Sequence, residues 1–139
     1  MCFSQKPQNT QKMDFDELTF KVRGIIFDVF KALGPGLLES VYEAALIYEF
    51  NMAGFKVRSQ VPIPVQYKSV KLDLGFKLDI LIEDCIILEI KSVEALHDVH
   101  KKQLLNYLKL TGKTVGFLIN FNTVYLKDKE SLIRIVNNY

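Results

Sequence analysis

With 139 residues, 49% of them hydrophobic, the chain is long enough to bury one core without a disulfide or a structural metal, and too short to expect a second domain. A net charge of +2 excludes a uniformly basic surface, so any nucleic-acid footprint must be local. The polar start of the chain (Ser4, Gln5, Lys6, Gln8, Asn9, Thr10, Gln11) has no apolar leader-like stretch, and no later run reaches the ~18 apolar residues of a membrane span. The expectation is a disordered tail over residues 1–13, a single domain over residues 14–139, a cytoplasmic location and no membrane contact. Cys2 and Cys85 show no pairing or metal-ligand spacing, and Cys85, inside an apolar run, reads as a small core residue in a reducing compartment.

In residues 14–33 apolar side chains recur at Leu18, Val22, Ile25, Ile26, Val29, Phe30 and Leu33, which predicts a helix with Asp14, Asp16 and Glu17 at its favourable negative start. Gly34-Pro35-Gly36 ends it. Leu38, Val41, Ala44, Ala45, Ile47, Tyr48 and Met52 predict a second helix, stopped at Gly54. Residues 55–67, β-branched but carrying Pro62 and Pro64, read as an edge or interrupted strand, with Lys68-Ser69 as a turn. Residues 70–82 and 85–90 are two more strands around a Glu83-Asp84 turn, completing a meander. Residues 96–110 predict a third helix ended by Gly112, residues 114–121 a buried strand, and residues 131–136 a last strand. The order is ααβββαββ, with no internal repeat.

The meander carries the chemistry. Asp79 lies on one predicted strand and Glu89-Ile90-Lys91 on the next, and because side chains alternate along a strand, Glu89 and Lys91 share a face opposite Leu88 and Ile90. If Asp79 faces them, three charges gather in an otherwise apolar sheet, and a divalent cation between Asp79 and Glu89 would offset the cost of burying them. That is the chemistry of a metal-dependent nuclease; the alternative is a Glu89–Lys91 ion pair on an exposed edge.

This order, with an acid on the second strand of a meander and Glu-x-Lys on the third, resembles the core of the PD-(D/E)XK nuclease superfamily. Gly36-Leu37-Leu38-Glu39-Ser40-Val41-Tyr42 also reads as Gly-x-x-Glu-x-x-Tyr, the signature of the GxxExxY proteins within it. Leu33 to Gly36, His100, the segment Gln103-Leu104-Leu105-Asn106-Tyr107-Leu108 and Leu118-Ile119-Asn120-Phe121 extend the resemblance across nearly the whole chain. It implies an α/β, restriction-endonuclease-like fold with a central mixed β-sheet flanked by helices, and a site for Mg²⁺ or Mn²⁺. Asp79 and Glu89 would be the direct oxygen ligands. The Ile90 carbonyl would add another, as the resemblance implies, and Glu39 matches a helix-borne acid that completes many such sites. Lys91 would orient or deprotonate the attacking water and offset transition-state charge, and Gln103 matches a helix glutamine beside that lysine.

Four further residues are candidates for holding substrate. Tyr42, one turn beyond Glu39 together with Glu43, could hydrogen-bond a carboxylate or a phosphate, or pack in the core with its hydroxyl at the rim. His100 and Tyr107 form a polar stripe with Gln103 on the third helix, although a histidine beside Lys101 and Lys102 is more often a surface residue. Lys77 stands where this family commonly has arginine, and loses the bidentate fork that suits phosphate. The leading function is a metal-dependent nuclease acting on DNA or RNA. The alternatives are a non-catalytic nucleic-acid- or protein-binding accessory module that keeps the nuclease fold, and a metal-binding structural protein or homodimer joined through the Pro62-Ile63-Pro64 edge.

Overall fold

The structure, a computed structural model, describes residues 14–73 and 75–137. The polar tail expected over residues 1–13, with Cys2, lies outside the described residues. Helix α1 (Phe15–Leu33) starts where the Asp14 carboxylate accepts the Glu17 N–H at 2.8 Å, and buries the stripe Leu18, Val22, Ile26 and Val29. It ends at Gly34, whose φ of 70°, followed by 93° at Gly36, is backbone that glycine adopts without steric cost. Helix α2 (Glu39–Met52) buries Tyr42, Leu46 and Phe50 at a spacing of four rather than the face expected from Leu38, Val41, Tyr48 and Met52, which are exposed, and this narrow stripe leaves Glu39 at its exposed first turn.

The strands are β1 (Val57–Pro62), β2 (Val65–Tyr67), β3 (Val70–Leu72), β4 (Lys77–Ile82), β5 (Ile86–Lys91), β6 (Val115–Asn120) and β7 (Leu132–Val136), with helix α3 (Asp98–Thr111) between β5 and β6. Five of them form one mixed sheet in the order β1-β4-β5-β6-β7, antiparallel except for the β5–β6 pair that α3 connects. Taken through this sheet alone, the chain order is ααβββαββ. The difference from expectation lies in residues 70–82, which form two strands rather than one. Gly75 has φ 79° and breaks the extended run, so β3 folds back on β2 as a separate hairpin while β4 enters the main sheet. Glu83 and Asp84 make the expected turn, both at positive φ (54° and 57°).

The sheet separates two apolar layers. Ile80, Ile82, Ile86, Leu88 and Ile90 pack with α1 and α2, and Cys85 joins that layer at 1% exposure, buried as its apolar surroundings suggested but disulfide-bonded rather than the unpaired cysteine expected of a reducing compartment. Leu81, Ile87 and Leu118 pack under Leu104, Tyr107 and Leu108 of α3. Gly116 of β6 admits α3 closely: a Cβ there would meet Leu104 Cδ1 at 3.0 Å and the Ile87 carbonyl at 3.2 Å.

Candidate active site

The site forms where a strand ladder opens. Strands β4 and β5 pair through Ile82↔Ile86, Leu81↔Ile87 and Ile80↔Leu88, and the next residues in that register are Asp79 and Glu89. There, side chains take the place of backbone pairing. Asp79 N–H donates to Glu89 Oε1 at 3.3 Å, and Ile90 N–H donates to Asp79 Oδ2 at 2.8 Å. On its other edge β4 follows β1, but the register passes over Gln60, which has φ 52° and would otherwise stand opposite Asp79. Strand β5 continues beside β6 to the pair Lys91↔Asn120, so Glu89 sits on a fully paired central strand while its neighbour toward β4 has parted. Alternation along β5 places Ile86, Leu88 and Ile90 toward α1 and α2, and therefore Glu89 and Lys91 on the α3 face with Ile87.

Burial makes this an electrostatically costly place. Glu89 is only 5% exposed. Burial first, then the Asp79 charge, push its carboxyl up to about 8, and the Asp79 N–H and the Lys91 ammonium offset this only in part. Asp79 is also raised, by burial and by the charges of Glu43 and Glu39, against the Ile90 hydrogen bond and Lys91. Both carboxyls therefore hold a proton more tightly than they would in water.

The other candidate residues gather around this pair unequally. Glu39 is exposed at the start of α2, and its Oε2 accepts the Ser92 N–H at 3.0 Å, so it braces the residue that follows Lys91 and still acts electrostatically on Asp79 and Glu89. Gln103 donates from Nε2 to the Tyr107 hydroxyl at 2.9 Å. Tyr107 is raised above its ordinary value by burial first and by Glu89 next, which sets the stripe of α3 beside the carboxylates. His100 accepts the His97 N–H on Nδ1 at 3.0 Å and is lowered by partial burial and then by Lys91. Lys77 is exposed at the outer end of β4.

Tyr42 takes the core alternative. It has 0% exposure, its ring stacks on Phe121 with centroids 4.2 Å apart, and its hydroxyl donates to the Gly34 carbonyl at 2.6 Å and accepts the Leu37 N–H at 3.1 Å. It therefore shapes the loop that leads into Glu39. The core alternative follows because the stripe of α2 that carries Tyr42 is the one that packs on the sheet.

Two residues carry no role that the sequence alone assigned. Glu43, one turn beyond Glu39, is the charge that acts most strongly on Asp79, and both its oxygens accept from Gln60 Nε2 at 3.1 and 3.0 Å. Its four-residue spacing from Glu39 was the available signal. Asn120, 4% exposed, accepts the Val93 N–H at 3.0 Å and donates to the Val93 carbonyl at 3.0 Å, which pins the chain just after Lys91.

The donor set suits a hard divalent cation. Among the described residues no three acidic, histidine or cysteine side chains gather within metal-binding reach, and Glu39 is engaged with the Ser92 N–H. A buried and a half-buried carboxylate, both with raised proton affinity, still match magnesium or manganese, which take one or two protein carboxylates and keep several waters. In comparisons with known proteins, the family model of the PD-(D/E)XK nuclease superfamily matches residues 16–135. No curated protein and no solved structure matches the chain. A mixed sheet flanked by helices, an acid on the second strand of its meander and Glu-x-Lys on the third agree with that match, and the chain belongs to the PD-(D/E)XK nuclease superfamily.

Proposed function

We propose that this chain is a metal-dependent nuclease of the GxxExxY type, a single nuclease-like domain over residues 14–139 that hydrolyses phosphodiester bonds of DNA or RNA in the cytoplasm. The observation that carries the reading is the Asp79–Glu89 pair at the open end of the β4–β5 ladder: Glu89 is 5% exposed and pushed up to about 8, so a nearby cation would favour its ionised form at neutral pH. Gly36, Glu39 and Tyr42, spaced as in Gly-x-x-Glu-x-x-Tyr and lying at the entry to α2, support the narrower family assignment.

Asp79, Glu89 and the Ile90 carbonyl would hold Mg²⁺ or Mn²⁺, with Glu39 at the rim. The ion, when bound, would supply positive charge to the phosphoryl oxygens and acidify a coordinated water. Lys91 offers its ammonium to the attacking water and to the charge that develops on phosphorus. Gln103, positioned by its bond to Tyr107, has a carbonyl oxygen that can accept from that water. Lys77, His100 and Tyr107 border the approach of the substrate strand.

The test is a cleavage panel of single-stranded DNA, duplex DNA and RNA with Mg²⁺ and with Mn²⁺, comparing wild type with Lys91→Ala. Wild type should cleave, and the variant should lose on the order of 10² to 10³ in rate. Equal activity in the two proteins overturns the assignment. A second reading, the non-catalytic accessory module, draws on the bonding of Glu39 to Ser92 N–H and on the two-carboxylate set. It expects nucleic-acid or protein binding with no cleavage under any of these conditions.

A further inference from the structure

Beside the carboxylates, a cavity of about 650 Å³ opens between α3 and the segment that enters β4. Phe76, Val99 and Leu110 supply its apolar wall and are 43%, 65% and 46% exposed, while Lys102, Lys109 and Asn106 supply its polar groups. Among the described residues no acidic side chain lines it. Gln103 and Tyr107 complete it, so it shares a wall with the stripe of α3 that lies against Glu89. The volume falls within the usual range for a small-ligand pocket. Phe76 is held from its backbone, since its carbonyl accepts the Ile63 N–H at 2.8 Å, and its ring is presented from a fixed main chain.

We propose that this cavity receives a nucleobase of an unpaired strand next to the scissile phosphate, stacked on Phe76, with Lys102 and Lys109 meeting the flanking phosphates. The proposal rests on the nuclease reading of the adjoining carboxylates and names the form of its substrate. A base inside a duplex has both faces covered by its neighbours, so only a single strand or an extruded nucleotide can offer a face to the ring. Two lysines seven residues apart on one helix lie on the same side of it, which suits a backbone running along α3 rather than one point charge. The Asn106 amide has the donor and acceptor needed to bond a base edge.

The test is equilibrium binding of the full chain, in EDTA so that nothing is cut, to a short fluorescein-labelled single strand and to the same strand with abasic sites, in DNA and RNA versions. Loss of one stacked base corresponds to about a tenfold change in affinity. Wild type should therefore prefer the intact strand by about tenfold, Phe76→Ala should bind both strands alike, and Phe76→Trp should keep the preference. A Lys102→Ala, Lys109→Ala double variant should weaken both strands equally and flatten the salt dependence. Equal wild-type binding of intact and abasic strands, no binding of either, or a preference retained in Phe76→Ala overturns the proposal; the wild-type comparison stands even if a variant fails to fold. Lys91-dependent cleavage without a base preference would sink this pocket alone, whereas a base preference without cleavage would sink the nuclease reading alone.

Discussion

At the scale of single residues, Glu89 sets the behaviour of the site. Its carboxyl is shifted from 4.5 up to about 8 by burial and by Asp79. Between those two values the metal-free folded chain keeps a proton that the unfolded chain has released, so the unfolded state binds fewer protons and stability falls as pH rises. The contribution is fully present below about 4.5 and is lost by about 8. In denaturant titrations at a series of pH values with EDTA, Glu89→Gln should lose most of this slope, because glutamine carries no titrating proton. A wild-type profile that rises or stays flat over that window would show that Glu89 is ionised without a cation.

At the scale of elements, the geometry depends on how α2 enters and how closely α3 approaches. The Tyr42 hydroxyl joins the Gly34 carbonyl and the Leu37 N–H, both in the turn ahead of Glu39. Tyr42→Phe should destabilise the fold by about 1–3 kcal/mol, the cost of leaving these groups without a partner, while changing cleavage only a few-fold at low temperature. Lost activity at unchanged melting temperature would return Tyr42 to the substrate. On the other face, Gly116 leaves room for Leu104. A Cβ at that position would already stand 3.0 Å from Leu104 Cδ1 and 3.2 Å from the Ile87 carbonyl, so a larger side chain must displace Leu104. Gly116→Val should cost about 1–3 kcal/mol by overpacking and move Gln103, one residue before Leu104, away from the carboxylates. Calorimetry and cleavage rates on the same sample would check both effects.

At the scale of the molecule, the carboxylate pair couples cation binding to folding. Asp79→Asn keeps an acceptor for the Ile90 N–H and removes the charge that a half-buried carboxylate sets against buried Glu89, so the metal-free variant should melt at the same temperature as wild type or higher. Mn²⁺ at about 100 times its dissociation constant should stabilise wild type by roughly 2.7 kcal/mol, a rise on the order of 5–10 °C, and should leave the variant nearly unmoved. A lower melting temperature in Asp79→Asn, together with a wild type indifferent to Mn²⁺, would identify the cluster as a structural ion pair.

Periodicity was enough for α1, where the spacing of Leu18, Val22, Ile26 and Val29 marks the buried face, whereas for α2 it gave the element but the wrong face, since Leu38, Val41, Tyr48 and Met52 are exposed and Tyr42, Leu46 and Phe50 are buried. Strand alternation was likewise enough to put Glu89 and Lys91 on one face. Other features had no local signal. Gly75 could have been a tolerated strand glycine or a break, and only the pairing of β3 with β2 decided it. Tyr42 had equal claims to site and core until packing against Phe121 took its ring. The parting of β4 from β5 at Asp79, which lets side chains replace the ladder and draws in Glu43 and Gln60, depends on three segments far apart in sequence. Such an arrangement is a property of tertiary register, since side-chain spacing within one strand says nothing about where its neighbour turns away.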